Sequence, residues 1–278
     1  YMDRGLAIAY DCRHFSPEFA TQVAEIMAGN GIKSYLFPSL RPTPELSFAI
    51  RDLKTASGIN ITASHNPKEY NGYKVYWEDG AQVLDEIADA MTVEIDKIDI
   101  FTGVKSMPIE EAKQKGFVTM LGEDMDHKYL EMVKTLTIYD GDDIDKNATI
   151  VYTPLNGAGS VSVQRVLRER GFEGIHVVPE QEHPDPDFTT VGYPNPEDTK
   201  AFKYSEALGH KVGAELLLAT DPDSDRLAIE VLDKDGNYVA FNGNQTGAIL
   251  IKYIIEGLYN TGKLPKNPAI VKSIVTGD

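Results

Sequence analysis

Leu6-Ala7-Ile8-Ala9-Tyr10 is an unbroken apolar run that stops at Asp11, with Ser16-Pro17 a short distance beyond. A short run without polar alternation reads as a strand covered on both faces. Ser16 then reads as the cap of a helix with Pro17 in its first turn. Phe19, Val23, Ile26 and Met27 recur on one helical face before Gly29 and Gly31 end it. A strand followed by a covering helix is the βα unit of α/β sheets. The device repeats outward: Thr43-Pro44-Glu45 opens a helix with Leu46, Ile50 and Leu53 on one face, and a strand over 58–62 runs directly into Ser64. A strand over 73–77 follows, then a helix with Leu84, Ile87, Met91 and Ile95 inward.

Periodicity fades between about 100 and 123, although part of that stretch could complete the first sheet. A second series begins with a strand over 148–152, the loop Pro154-Leu155-Asn156-Gly157-Ala158-Gly159, and a helix facing inward with Val163 and Leu167. The Pro-rich stretch 179–196 reads as a surface connection without regular structure. A strand over 215–219 leads into Thr220-Asp221-Pro222-Asp223-Ser224-Asp225-Arg226. A hairpin turning at Asp233-Lys234-Asp235-Gly236 follows, then a helix from Asn242 carrying Leu250, Ile251 and Ile254. The expected fold is α/β: two consecutive βα-built domains with mixed sheets covered by helices, at 1–122 and 123–264. Residues 265–278 are expected to be a linker and the first strand, 269–275, of a truncated third domain. The opening at Tyr1 and a final strand without a following helix suggest an excerpt of a longer protein.

The 43 acidic residues against 27 basic ones give a net charge of −16. Such a field repels nucleic-acid phosphates and anionic membrane surfaces, so neither is expected as a partner. A small phosphorylated substrate stays compatible, because a few cations in one cleft can reverse the local field. The single cysteine, Cys12, can form no internal disulfide. With no signal-peptide-like opening and no apolar run of spanning length, a cytoplasmic setting is expected. The sequence specifies no oligomeric state.

Two segments could carry chemistry, and each follows a strand, where open α/β sheets bind ligands. Asp221, Asp223 and Asp225 alternate, so a bent loop gathers hard anionic oxygens around one point. Magnesium suits that donor set and commonly completes its shell with phosphate oxygens. A calcium EF-hand shares the spacing but fails here: Arg226 stands where the sharp-turn glycine is needed, and Leu232 occupies the bidentate position. In Ala63-Ser64-His65-Asn66-Pro67, Ser64 sits at a tight turn fixed by Asn66 and Pro67, and its hydroxyl could project into a cleft. Serine needs help to act as a nucleophile. His65 could move a proton; Lys74 could do so if its surroundings lower its pKa, and a solvent-facing lysine is the alternative. Arg226 could grip a phosphoryl group or merely pair with the neighbouring aspartates. Asp11, Cys12, Arg13 and His14 form another strand-end cluster, with Arg13 open between phosphate binding and a structural ion pair. Cys12 reads as a packed thiol.

Residues 58–67 followed by Tyr70-Asn71-Gly72-Tyr73-Lys74, together with Asp221 to Arg226, closely resemble the phosphoserine segment and metal loop of the α-D-phosphohexomutase superfamily, within it the phosphoglucomutase and phosphomannomutase group. The resemblance runs over most of the chain. It implies a phosphoserine at Ser64, Mg2+ held by that group with Asp221, Asp223 and Asp225, proton transfer by His65 and Lys74, and phosphate binding by Arg226, with Arg13 and Asn66 nearby. It implies interconversion of hexose 1-phosphate and 6-phosphate, glucose favoured over mannose or pentose, through a sugar 1,6-bisphosphate. The family's opening phosphate-site segment, third-domain sugar-binding loop and fourth-domain phosphate loop find no counterpart here, so the chain alone is expected to be inactive as a mutase. A noncatalytic sugar-phosphate-binding protein would not need a phosphorylatable serine beside a metal loop. A metal-dependent phosphatase would need a group to activate water.

Overall fold

The computed structural model describes residues 1–139, 141, 144–274 and 276–277 and builds them around two five-stranded sheets. The first block contains β1 (Leu6–Tyr10), α1 (Ser16–Gly29), β2 (Ser34–Leu36), α2 (Thr43–Leu53), β3 (Ser57–Ile61) and β4 (Tyr73–Trp77). It continues with α3 (Asp85–Ile95), α4 (Ile109–Gln114) and β5 (Val118–Met120). Its strand order is β4-β3-β1-β2-β5, parallel except for β4, which runs antiparallel to β3. β1 lies at the centre and is buried at every residue. Leu6, Ile8 and Tyr10 pack with Ala20, Val23, Ala24 and Ala28 of α1. Ala7 and Ala9 pack with Leu46, Ala49 and Ile50 of α2. Cover on both faces is the reason the run shows no polar alternation.

α5 (Glu123–Thr135) lies against both α2 and the later α6 (Gly159–Glu169). The second sheet joins β6 (Ile150–Thr153), β7 (Ile175–Val177), β8 (Leu216–Thr220), β9 (Leu227–Leu232) and β10 (Tyr238–Phe241) in the order β10-β9-β8-β6-β7. β6, β7 and β8 are parallel; β9 and β10 turn back as antiparallel neighbours. α7 (Lys203–Val212) covers one face, with Phe202, Leu208 and Val212 against Val151, Leu217 and Ala219. α8 (Gly243–Asn260) begins with a capping box in which Asn242 and Gln245 satisfy each other's backbone N–H groups. The fold is thus α/β with mixed, helix-covered sheets, and β5 completes the first sheet from within the stretch where periodicity fades.

Three expected packing patterns differ. Phe19 is 43% exposed, and Ala20 takes the sheet-facing place, letting α1 approach closely. Leu84 and Ile95 are 76% and 61% exposed, and α3 has no buried residue. α1 and α2 with their neighbours already fill both faces of the first sheet, which leaves α3 no apolar surface to cover. Residues 269–274 form no strand, and Val275 lies outside the described residues. Val271 is 93% exposed, with no neighbouring strand to receive its backbone hydrogen bonds.

The two blocks meet through a buried charge cluster. Arg41 holds Asp126 with two hydrogen bonds, from Nε at 2.9 Å and Nη2 at 2.8 Å. Beside them Glu45 is fully buried, and Ser162 Oγ of α6 donates to its carboxylate at 3.3 Å. Burial and then Asp126 push the Glu45 carboxyl up to about 8. Burial would raise Asp126 too, but Arg41 and the Glu45 proton hold it below its ordinary value. Glu45 is thus the member of the pair that favours the neutral form, and Asp126 the one that favours the charged form. A carboxyl raised in the folded state stabilises the fold below its unfolded value of 4.5 and loses that contribution as pH rises toward about 8. The Glu45→Gln variant cannot ionise at this position. In urea unfolding it is expected to match wild type at low pH and to exceed it by about 1–3 kcal/mol above pH 8. Equal stability of the two proteins at both pH values would contradict the raised Glu45 carboxyl.

Candidate active site

β3 ends at Ile61, and the chain bends sharply at Ser64, whose φ of 53° lies in the left-handed region. A serine there is strained and is held by its surroundings. Thr62 Oγ1 accepts from the Ser64 backbone N–H at 2.9 Å and donates to Asp11 Oδ2 at 2.7 Å. Ser16 Oγ donates to the other oxygen of Asp11 at 2.9 Å. Ser16 is therefore the first residue of α1 and a support for Asp11; the position before it is taken by Phe15 in a left-handed conformation. Gly72 closes the far side of the loop: a Cβ there would lie 2.4 Å from the Thr62 carbonyl oxygen.

Arg13 is fully buried, and every guanidinium nitrogen is used. Nε donates to Asp11, and the two terminal nitrogens donate to the carbonyls of Ser64, Asn66, Pro67 and Tyr70. Of the two roles left open for Arg13, the structure shows the structural one: an ion pair with Asp11, with the donors that would meet phosphate clamping the serine loop. Asn66 serves the same turn through its backbone, receiving Arg13 and donating to the Ala63 carbonyl at 3.0 Å, while its residue surface is exposed.

The acidic loop follows β8. Asp221 Oδ1 accepts the backbone N–H groups of Asp225 at 3.2 Å and Arg226 at 3.0 Å, folding the loop around its first carboxylate. Gly157 permits the loop preceding α6 to press against it, since a Cβ there would lie 2.5 Å from Pro222 Cα. One carboxylate oxygen from each of Asp221, Asp223 and Asp225 lies within 4.8 Å of the others. Burial, Asp223 and Asp225 push Asp221 up to about 8. Burial would raise Asp223 as well, but Lys74, a proton on Asp221 and Thr43 hold it below its ordinary value. Asp223 Oδ1 is buried without a hydrogen-bond partner. A crowded carboxylate set that retains a proton and leaves a buried oxygen unsatisfied fits a hard cation.

The two loops meet across the blocks. Ser64 Oγ donates to Asp221 Oδ2 at 2.9 Å, and His65 Nδ1 stands 3.2 Å from the same hydroxyl. Burial first, then the Arg226 charge, lowers the His65 pKa, favouring a neutral imidazole. Lys74 Nζ reaches Asp223 Oδ2 at 3.1 Å. The condition set for Lys74 as a base is not met: burial lowers its pKa, but Asp223 more than offsets that and holds the ammonium charged. Arg226 is exposed, none of the ion pairs found among the described residues involves it, and its charge acts on His65 and Asp225. Ser64, His65, Lys74, Asp221, Asp223, Asp225 and Arg226 are thus brought together. Thr43 is the contributor that sequence reading missed. Read there as a helix cap, it donates through Oγ1 to Asp223 Oδ2 at 3.0 Å, accepts from Asn60 Nδ2 at 2.8 Å, and its backbone N–H meets the Asp223 carbonyl at 2.8 Å. The only sequence trace is its kinship with Ser16, another hydroxyl before proline.

Residues 2–100 match the family described as phosphoglucomutase/phosphomannomutase, alpha/beta/alpha domain I, and residues 127–236 match its domain II. The chain belongs to the phosphoglucomutase/phosphomannomutase family. A phosphoglucomutase of Staphylococcus epidermidis is 40% identical over 274 residues, covering 98% of this chain and 48% of its own length. One from Staphylococcus aureus is 37% identical over the same share. The chain thus spans about half the length of these curated relatives. A solved structure from Thermus thermophilus, provisionally assigned as a phosphomannomutase, superposes with a TM-score of 0.74 at 27% identity, over 92% of this chain and 53% of the other. A Burkholderia thailandensis member superposes at 0.67 with 21% identity, over 92% and 51%, sharing the fold. No helix among the described residues is long and apolar enough to cross a membrane.

In this phosphoglucomutase/phosphomannomutase family chain, the Thr43 hydroxyl joins Asn60 to Asp223 in a buried relay. Thr43→Val removes both hydrogen bonds and keeps the volume, so an unfolding titration is expected to show a loss of about 1–3 kcal/mol. An unchanged midpoint would show that the relay does not hold the blocks together.

Proposed function

We propose that the protein is a phosphohexomutase that interconverts hexose 1-phosphate and 6-phosphate, with Ser64 carrying the transferred phosphoryl group. The observation that carries this reading is the approach of Ser64 Oγ to Asp221 at 2.9 Å, one member of the carboxylate set from the other block. A serine oxygen in that position is suited to hold a phosphoryl group against a cation site. In this reading Asp221, Asp223 and Asp225, with an oxygen of phosphorylated Ser64, hold Mg2+. When bound, the metal supplies charge neutralisation to the transferring group. The phosphoryl group leaves Ser64 Oγ for a sugar hydroxyl, giving a 1,6-bisphosphate, and the sugar's other phosphoryl group returns to Ser64.

His65 Nδ1 is placed to exchange a proton with Ser64 Oγ as the ester bond breaks or forms. Lys74, held charged beside Asp223, is the second proton carrier in this proposal, entering as a proton donor and not as a base. Arg226, exposed and without an ion pair among the described residues, is the group that binds the phosphoryl oxygens in this reading. The names of the staphylococcal relatives support glucose over mannose or pentose as the sugar. The proposal includes a domain division of 1–122, 123–264 and 265–278, a cytoplasmic setting, and inactivity of the 278-residue chain alone as a mutase. The excess of acidic residues supports a partner list limited to small phosphorylated sugars.

Intact mass and peptide mapping of the full-length protein test the reading. Phosphate is expected on Ser64, exchanging when hexose monophosphate and magnesium are supplied. Mutase turnover without phosphate ever appearing on Ser64 would contradict it. Arg226→Ala is expected to lower kcat by about 10²–10³-fold, the scale of one transition-state charge contact, with thermal stability unchanged. Full activity in that variant would remove Arg226 from phosphoryl binding.

A further inference from the structure

The Arg13 guanidinium is hydrogen-bonded around its whole edge, which leaves its flat faces as the remaining route to control it. The ring of Phe188, fully buried, lies 5.2 Å from the guanidinium carbon. Phe188 comes from the second block, out of the Pro-rich stretch that the sequence suggests is only a connection. The stretch is firmly built. Gln181 is fully buried; it accepts from Thr153 Oγ1 at 2.7 Å and donates to Thr190 Oγ1 at 3.1 Å. Asn156 Nδ2 donates to the His183 carbonyl at 2.8 Å. Asp185 shapes the tip by accepting from the backbone N–H groups of Asp187 at 3.0 Å and Thr189 at 2.8 Å.

At that tip Asp187 receives Lys68 at 2.9 Å and stands 3.3 Å from His14 Nε2, while Tyr193 meets the His65 ring edge-on at 6.0 Å. The Asp187 pairs are exposed and contribute little. Phe188 itself has φ of 47°, a left-handed backbone that a bulky residue adopts only where the surroundings over-determine it. Its ring is the buried element that joins the tip to the arginine clamping the carbonyls of Ser64 and Asn66.

We propose that Phe188 is a positioning residue whose ring, stacked on Arg13, locks the Ser64 loop against the second block so that the Ser64 hydroxyl stays on the acidic loop. This rests on the reading of Ser64 as the phosphoryl carrier. A cation's attraction to a ring face requires the aromatic ring, so an aliphatic side chain of similar bulk fills the space without providing the lock.

The test compares Phe188→Leu with Phe188→Tyr in the full-length protein, by backbone hydrogen exchange and by steady-state turnover of glucose 1-phosphate. In Phe188→Leu, exchange over residues 63–72 is expected to accelerate at least tenfold while β1 and β6 keep their protection. Its kcat is expected to fall at least tenfold with KM unchanged, and Phe188→Tyr is expected to restore both. Unchanged exchange over 63–72 in Phe188→Leu, acceleration spread evenly over both sheets, or equal impairment of the tyrosine variant would each overturn the proposal. The exchange readout is independent of chemistry, so a wild type that neither carries phosphate nor turns over would defeat the mutase reading and leave this result distinguishable.

Discussion

Asp223 is a buried carboxylate in the second block whose Thr43 and Lys74 donors come from the first. Desolvating a charge is costly unless opposite charge and hydrogen bonds replace water. That cost makes the contact between the blocks selective: Asp223 Oδ2 is satisfied only when α2 and β4 present Thr43 and Lys74 to it. The Thr43 backbone N–H adds a bond to the same residue's carbonyl, so side chain and main chain impose one geometry. With the loop held there, Asp221 lies at the Ser64 hydroxyl.

Each chemical loop carries a strained serine, Ser64 and Ser224, in left-handed backbone. The supports differ. Around Ser64 the chain is clamped by Arg13, whose charge is answered by Asp11 and whose face is covered by Phe188. Around Ser224 the support is close approach, with Gly157 and Gly159 leaving room for the α6 entrance to press on Pro222 and Ser224. In both cases rigidity comes from groups that never face the cleft, the arrangement expected where positions must be held to fractions of an ångström.

Local pattern carried much of this to the surface of the sequence. β1, α2, β4, the β9–β10 hairpin and the positions of the two chemical loops follow from apolar spacing, proline and glycine, because those signals lie in neighbouring residues. The failures share a physical cause, since they depend on partners distant in the chain. Ser16 and Thr43 look like helix caps until Asp11 and Asp223 arrive from elsewhere. Arg13 stays open between phosphate binding and a structural ion pair until the carbonyls of residues 64–70 occupy it. The inward face expected for α3 was legible as amphipathic spacing, but whether a sheet face remains free for it is decided by α1 and α2.

The central claim is that docking of the two blocks forms one cation site shared by the Ser64 phosphoryl group and the three aspartates. A crystal structure of the phosphorylated full-length protein grown with manganese, with anomalous data collected for the metal, tests it most directly. The account predicts a single strong peak bonded to Asp221, Asp223, Asp225 and a phosphoryl oxygen of Ser64, at about the 2.0–2.2 Å typical of small hard cations on oxygen. A peak bonded to the aspartates with the Ser64 phosphoryl group turned away, or no peak at the acidic loop, would contradict it.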